Sequence, residues 1–131
     1  MSRRGKSVKE FAIKENHLFV KAYQGGKRYV TDTVAVYVLK DLKAGRLRKE
    51  NPQKEFLNRI GFTATTKLGH AVVRNRAKRV MRAAYRNIVS NRPIKTGNLI
   101  VITARDKIRE VGSLEVERDM NRAFNKLELF K

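Results

Sequence analysis

The chain has 131 residues, with 31 Lys+Arg against 12 Asp+Glu and a formal net charge of +19. A hydrophobic fraction of 41% is enough to build one core of domain size, which argues against wholesale disorder. Without cysteine there is no disulfide, thiolate metal site or cysteine nucleophile, and the longest run free of charged residues, Thr96 to Ala104, is too short to cross a membrane.

Residues 1–12 read as a flexible basic arm; no apolar run follows Met1–Lys6, so no secretory signal is expected. From Lys14 to Gln24 the spacing of Leu18, Phe19, Ala22 and Tyr23 predicts a short helix, ended by Gly25-Gly26. Lys27–Val30 reads as a short strand. Thr33–Leu39, rich in β-branched and aromatic residues, reads as a central one. The polar stretch 41–57, with Gly45 and Asn51-Pro52, is a long loop insertion. Asn58–Thr66 alternates apolar and polar residues and predicts a second strong strand, antiparallel to the first. A long helix follows Gly69 and stops at Asn91-Arg92-Pro93, then Asn98–Ala104 forms a buried strand. Gly112-Ser113 opens a last helix, where Ser113 with Glu115, Glu117 and Asp119 suits a cap and the helix dipole, and Val116, Met120, Ala123, Phe124 and Leu127 form the buried stripe. The order is α-β-β-β-α-β-α in one α+β domain spanning 1–131. The default hand of its β-α-β crossover would be right.

The charge is concentrated. No acid lies between Glu55 and Asp106, while eleven Lys and Arg residues do. Such a field opposes compaction and asks for a polyanionic partner; nucleic acid fits, and an anionic membrane surface is the other polyanion that charge alone does not exclude. In the long helix Arg74, Lys78, Arg82 and Arg86 recur every four residues, with Arg79 beside them and Val73, Ala77, Val80, Met81, Ala84 and Ile88 opposite. Surface helices ordinarily mix signs, so an unrelieved ladder of arginines points to phosphate contact, with Asn75 placed inside it. This pattern identifies a nucleic-acid surface without choosing RNA or DNA.

Lys67-Leu68-Gly69-His70-Ala71-Val72-Val73-Arg74-Asn75-Arg76-Ala77-Lys78-Arg79-Val80-Met81-Arg82 resembles the signature of the protein subunit of bacterial ribonuclease P. Lys14–Gly26 is similar to that family's first helix, Tyr37 falls in the matching strand, and Leu99–Arg105 matches its last strand. The resemblance spans residues 13–128. It implies a four-stranded mixed sheet packed by helices, with a left-handed crossover in place of the default. It also implies a role in removing the 5′ leader of precursor tRNA, with cleavage by the RNA subunit. By position, Lys67, Arg74, Asn75, Arg76, Lys78, Arg79, Arg82 and Arg86 would bind the catalytic RNA, and Phe19, Tyr23, Tyr37 and Thr65 the single-stranded leader. Stacking on aromatic faces tolerates any base, which suits leaders of varied sequence. Magnesium ions would be required by the holoenzyme, with none bound by the protein alone. The partners would be the catalytic RNA and precursor tRNA, in the cytoplasm, with no membrane and no protein partner required.

The sequence departs from the family at Thr63-Ala64-Thr65-Thr66, where serine and a second lysine are usual, and in the 41–57 loop, which is longer than usual. A protein-based nuclease is poorly supported. Clustered carboxylates for a metal pair are missing from the basic heart of the chain, and His17 and His70 have no motif around them. The alternative from another class is a basic structural ribosomal protein.

Overall fold

A computed structural model of the chain describes residues 11–12, 22–40, 59–95 and 97–131. Five strands form one mixed sheet: β1 (Phe11–Ala12), β2 (Lys27–Val30), β3 (Val34–Lys40), β4 (Arg59–Thr63) and β5 (Asn98–Ala104). The helices are α1 (residues 22–25; the rest of the helix expected over 14–24 lies outside the described residues), α2 (Ala71–Asn91) and α3 (Ser113–Lys126), with short 3-10 turns at Thr66–Leu68 and Asp106–Glu110. The four strands expected from the sequence are all present. A two-residue fifth, Phe11–Ala12, lies at the end of the segment read as a flexible arm; the rest of that arm and the loop 41–57 lie outside the described residues.

The spatial order is β1-β4-β5-β3-β2. β5 is central because it is apolar on both faces: Leu99, Ile100, Val101 and Ile102 are all buried. It pairs antiparallel with β3 (Tyr37 opposite Val101) and parallel with β4 (Thr63 opposite Thr103). β4 therefore runs against β3, as the alternation suggested, but does not touch it; β5 stands between them. The link from β4 through α2 to β5 is the parallel crossover, and element order and crossover accord with the fold the resemblance implies.

Period-two alternation gives the sheet two different faces. Val34, Val36, Ile60, Ile100 and Ile102 point to the helices, where Ala77, Met81, Ala84, Tyr85 and Ile88 of α2 and Val116, Met120, Ala123 and Phe124 of α3 complete the main core. An aromatic string crosses that core from Phe62 to Tyr85 to Phe124 to Phe130, each ring meeting the next edge to face at centroid distances of 5.9, 6.1 and 6.0 Å. The other face holds a smaller cluster of Ala22, Leu99 and Val101, flanked by Tyr37 and Leu39.

Gly26 makes the join between α1 and β2 possible. A Cβ there would stand 2.6 Å from the Val38 carbonyl oxygen and 2.8 Å from that of Ala22. The cap expected of Ser113 is not formed: Gly112 is the N-cap of α3 and no side chain bonds the helix end. Glu115 stays in the first turn, but Asp119 accepts a 2.7 Å hydrogen bond from Thr33 Oγ1 and Glu117 one of 2.8 Å from Asn87 Nδ2. These two acids tie α3 to the residue before β3 and to α2 instead of complementing its dipole.

Candidate RNA-binding surfaces

The sheet face away from the helical layer carries the first surface. Tyr37 projects from β3 beside Val101, and Tyr23 stands over it from α1. Their rings meet edge to face, with centroids 4.8 Å apart and planes at 81°. The backbone at Ala22, itself fully buried, anchors this placement, since Gly26 N–H donates to the Ala22 carbonyl at 3.1 Å. Tyr23 remains 37% exposed, so an apolar ring is offered to solvent beside a second aromatic. Its hydroxyl lies 3.2 Å from Thr63 Oγ1 and 3.3 Å from Thr103 Oγ1, and the two threonine oxygens are 2.9 Å apart. This triangle of hydroxyls joins α1, β4 and β5 into one floor. Phe19 lies outside the described residues.

Beyond the triangle the floor turns into a polar groove lined by Thr65 and Lys67, by Arg105, Asp106, Lys107 and Glu110, and by Asp32. Thr65 and Lys67 are exposed there, next to the turn that leads into α2. Sequence reasoning missed Thr63, Thr103 and Arg105. The signal was the parity of Val101, Thr103 and Arg105 along one strand, but it gains meaning only once β4 is known to lie beside β5.

The second surface is α2. Asn75, Arg79, Arg82 and Arg86 are exposed, and Lys78 is half-buried. The guanidinium of Arg82 lies 5.8 Å from the centre of the Phe62 ring, which steers that side chain toward the β4 edge of the sheet. The ladder read from the sequence is not uniform. Arg74 is half-buried, and its Nε donates to the Gly69 carbonyl at 3.2 Å, because Arg74 lies almost above the buried line of Ala77 and Met81. Arg76 is half-buried on another side. Its Nη1 donates to the Ile108 carbonyl at 3.2 Å and its Nη2 to that of Val111 at 3.0 Å. Arg109 returns the contact, donating from Nη1 to the Leu68 carbonyl at 3.3 Å. Two arginines thus lace the start of α2 to the 106–110 turn. Gly69, at φ +147°, occupies a backbone conformation that side chains rarely adopt, where the chain enters α2.

Among the described residues no three or more His, Cys, Asp or Glu side chains are grouped so as to hold a metal ion, and no helix is long and apolar enough to cross a membrane. His70 is the N-cap of α2 and makes no side-chain cap.

The model of the ribonuclease P family matches residues 8–128. The chain belongs to the ribonuclease P family. The ribonuclease P protein component of Alkaliphilus metalliredigens is 32% identical over 117 residues, 89% of this chain and 93% of that one. That of Clostridium acetobutylicum is 32% identical over 122 residues, 93% of this chain and 92% of its own. In fold, the ribonuclease P protein of Staphylococcus aureus superposes with a TM-score of 0.71 at 24% identity, covering 94% of this chain and all of the other. The Thermotoga maritima protein gives 0.60 at 23%, covering 79% and 88%. This chain is accordingly a protein subunit of the ribonucleoprotein endonuclease that acts in tRNA processing, and its associate in that enzyme is the ribonuclease P RNA. The alternative of a structural ribosomal protein falls.

Proposed function

We propose that the two surfaces divide the work. The exposed cations of α2 (Lys78, Arg79, Arg82 and Arg86, with Asn75) and Lys67 hold the ribonuclease P RNA. Tyr23 and Tyr37, with Phe19 by its place in the sequence, receive the single-stranded 5′ leader of precursor tRNA, and Thr65 lies at the rim. The observation that supports this division is the Tyr23–Tyr37 pair, partly exposed on the sheet face opposite α2 and α3. Unpaired bases stack on such rings whatever their sequence, while the arginines of α2 can neutralise phosphates. Arg74 and Arg76 contribute mainly by shaping the start of α2.

In this reading the protein moves no proton and breaks no bond. Cleavage belongs to the RNA subunit with magnesium, an ion that binds readily to phosphates while keeping its water. The enzyme acts in the cytoplasm on precursor tRNA and requires no second protein. The test is cleavage of one precursor tRNA by the protein alone, by ribonuclease P RNA alone and by both, at limiting magnesium. Activity that rises only with both is the expected result. Cleavage by nuclease-treated protein alone would overturn the assignment of the chemistry.

A further inference from the structure

α3 buries Val116, Met120, Ala123 and Phe124, and the rest of its surface is far from neutral. Arg118, Arg122 and Lys126 recur every four residues and are all exposed, with exposed Asn121 and Asn125 beside them. Two acids of the helix face sideways and are engaged: Glu117 by Asn87 of α2 and Asp119 by Thr33, the residue before β3. Glu115, in the first turn, serves the positive end of the helix. Among the described residues none of the side chains of Arg118, Arg122 and Lys126 has a hydrogen bond or ion pair. Like charges four residues apart repel, so such a row is unfavourable for the helix by itself. α3 packs against α2, where Arg79 and Arg86 are exposed too. The helical layer therefore presents cations from both of its helices, on the opposite side of the molecule from the aromatic floor.

We propose that the outer face of α3 is a further RNA contact, which grips the sugar-phosphate backbone of an A-form duplex alongside the exposed arginines of α2. The inference rests on the reading of α2 as an RNA surface. A duplex fits better than a single strand for two reasons. The one aromatic residue of α3, Phe124, is buried, so unpaired bases have nothing to stack on. Cations on two neighbouring helices, whose axes pack ~8–10 Å apart, suit the two phosphate rows that flank a wide, shallow minor groove. Asn121 and Asn125 both donate and accept, as contact with 2′-hydroxyls requires. The duplex belongs either to the ribonuclease P RNA or to the paired part of the precursor, and the chemistry of the contact is the same.

The test uses the full chain carrying R118A/R122A/K126A. Its affinity for ribonuclease P RNA is measured over a series of salt concentrations, and the KM of the assembled holoenzyme for precursor tRNA is measured separately. An affinity about tenfold weaker, with a log–log salt slope shallower by about one for each phosphate no longer neutralised, places the duplex in the catalytic RNA. Unchanged RNA affinity with a raised, less salt-dependent KM places it in the substrate. If both measurements match the parent protein, the inference is overturned. R79A/R86A is run in parallel: if it weakens RNA binding while the α3 variant changes neither RNA affinity nor KM, only the α3 contact fails, and if neither variant changes either quantity, the reading of α2 fails as well. Should the triple variant not fold, as judged by circular dichroism, R118Q and R122Q are measured singly, each expected to lower the slope by about one.

Discussion

Arg76 Nη2 lies 3.0 Å from the Val111 carbonyl oxygen, so one arginine of the Arg74-Asn75-Arg76 triplet reaches across to the turn before α3. With Nη1 on Ile108, the guanidinium joins two elements distant in sequence. Replacing Arg76 by Ala should lower stability by about 1–3 kcal/mol, the usual range for leaving such acceptors unpaired. Arg76→Lys should recover only part of this, because an ammonium lacks the planar fork. Urea midpoints check the loss. The salt slope of RNA binding should stay near that of the parent, and a slope reduced by a full unit would return Arg76 to direct phosphate contact.

The α2 cations should behave in the opposite way. Arg79→Ala and Arg86→Ala remove exposed side chains and should leave the urea midpoint within about 0.5 kcal/mol of the parent in stability. Each should weaken binding to ribonuclease P RNA and lower the salt slope by about one. Arg82→Ala should do the same and also loosen the edge at Phe62, since its guanidinium lies over that ring.

The aromatic floor predicts a third outcome. Tyr37→Ala or Tyr23→Ala should reduce the preference of the holoenzyme for precursor over mature tRNA, by ~1–3 kcal/mol for each base deprived of its stacking surface. Affinity for the ribonuclease P RNA should not change. Competition between precursor and mature tRNA measures the first quantity and direct titration the second. Tyr23→Phe keeps the ring and removes the hydroxyl from the Thr63–Thr103 triangle, so most of the preference should survive.

Gly26→Ala tests the join between α1 and β2. The added methyl would meet two backbone carbonyl oxygens, at 2.6 and 2.8 Å, which cannot swing aside as a side chain can. A loss of about 1–3 kcal/mol is expected from such overpacking. Thermal unfolding measures it, and because Ala22 and Tyr23 sit next to this join, the preference for precursor should fall together with stability.

Much of this protein was legible in its residues. The strands Lys27–Val30 and Asn98–Ala104, the stop of α2 near Asn91, and the buried stripe Val116, Met120, Ala123 and Phe124 all appear where local periodicity placed them. Periodicity works there because each element buries one face, and burial is the strongest local constraint. The cationic character of α2 and its sixteen-residue signature likewise required no coordinates.

Three-dimensional structure decided what depends on neighbours. That β5 would stand between β3 and β4 follows from pairing across the sheet, and no local pattern specifies which strand is adjacent to which. Arg74, Arg76, Arg79 and Arg82 are one residue type in one helix, yet Arg74 turns back to Gly69, Arg76 braces the 106–110 turn, Arg82 lies over Phe62 and Arg79 is exposed. Sequence determined that these positions would be cationic, because charge is a property of the side chain itself. Only tertiary packing decided which of those charges meet a carbonyl, a ring or water, because that depends on what the rest of the chain brings within about 3–6 Å of each one.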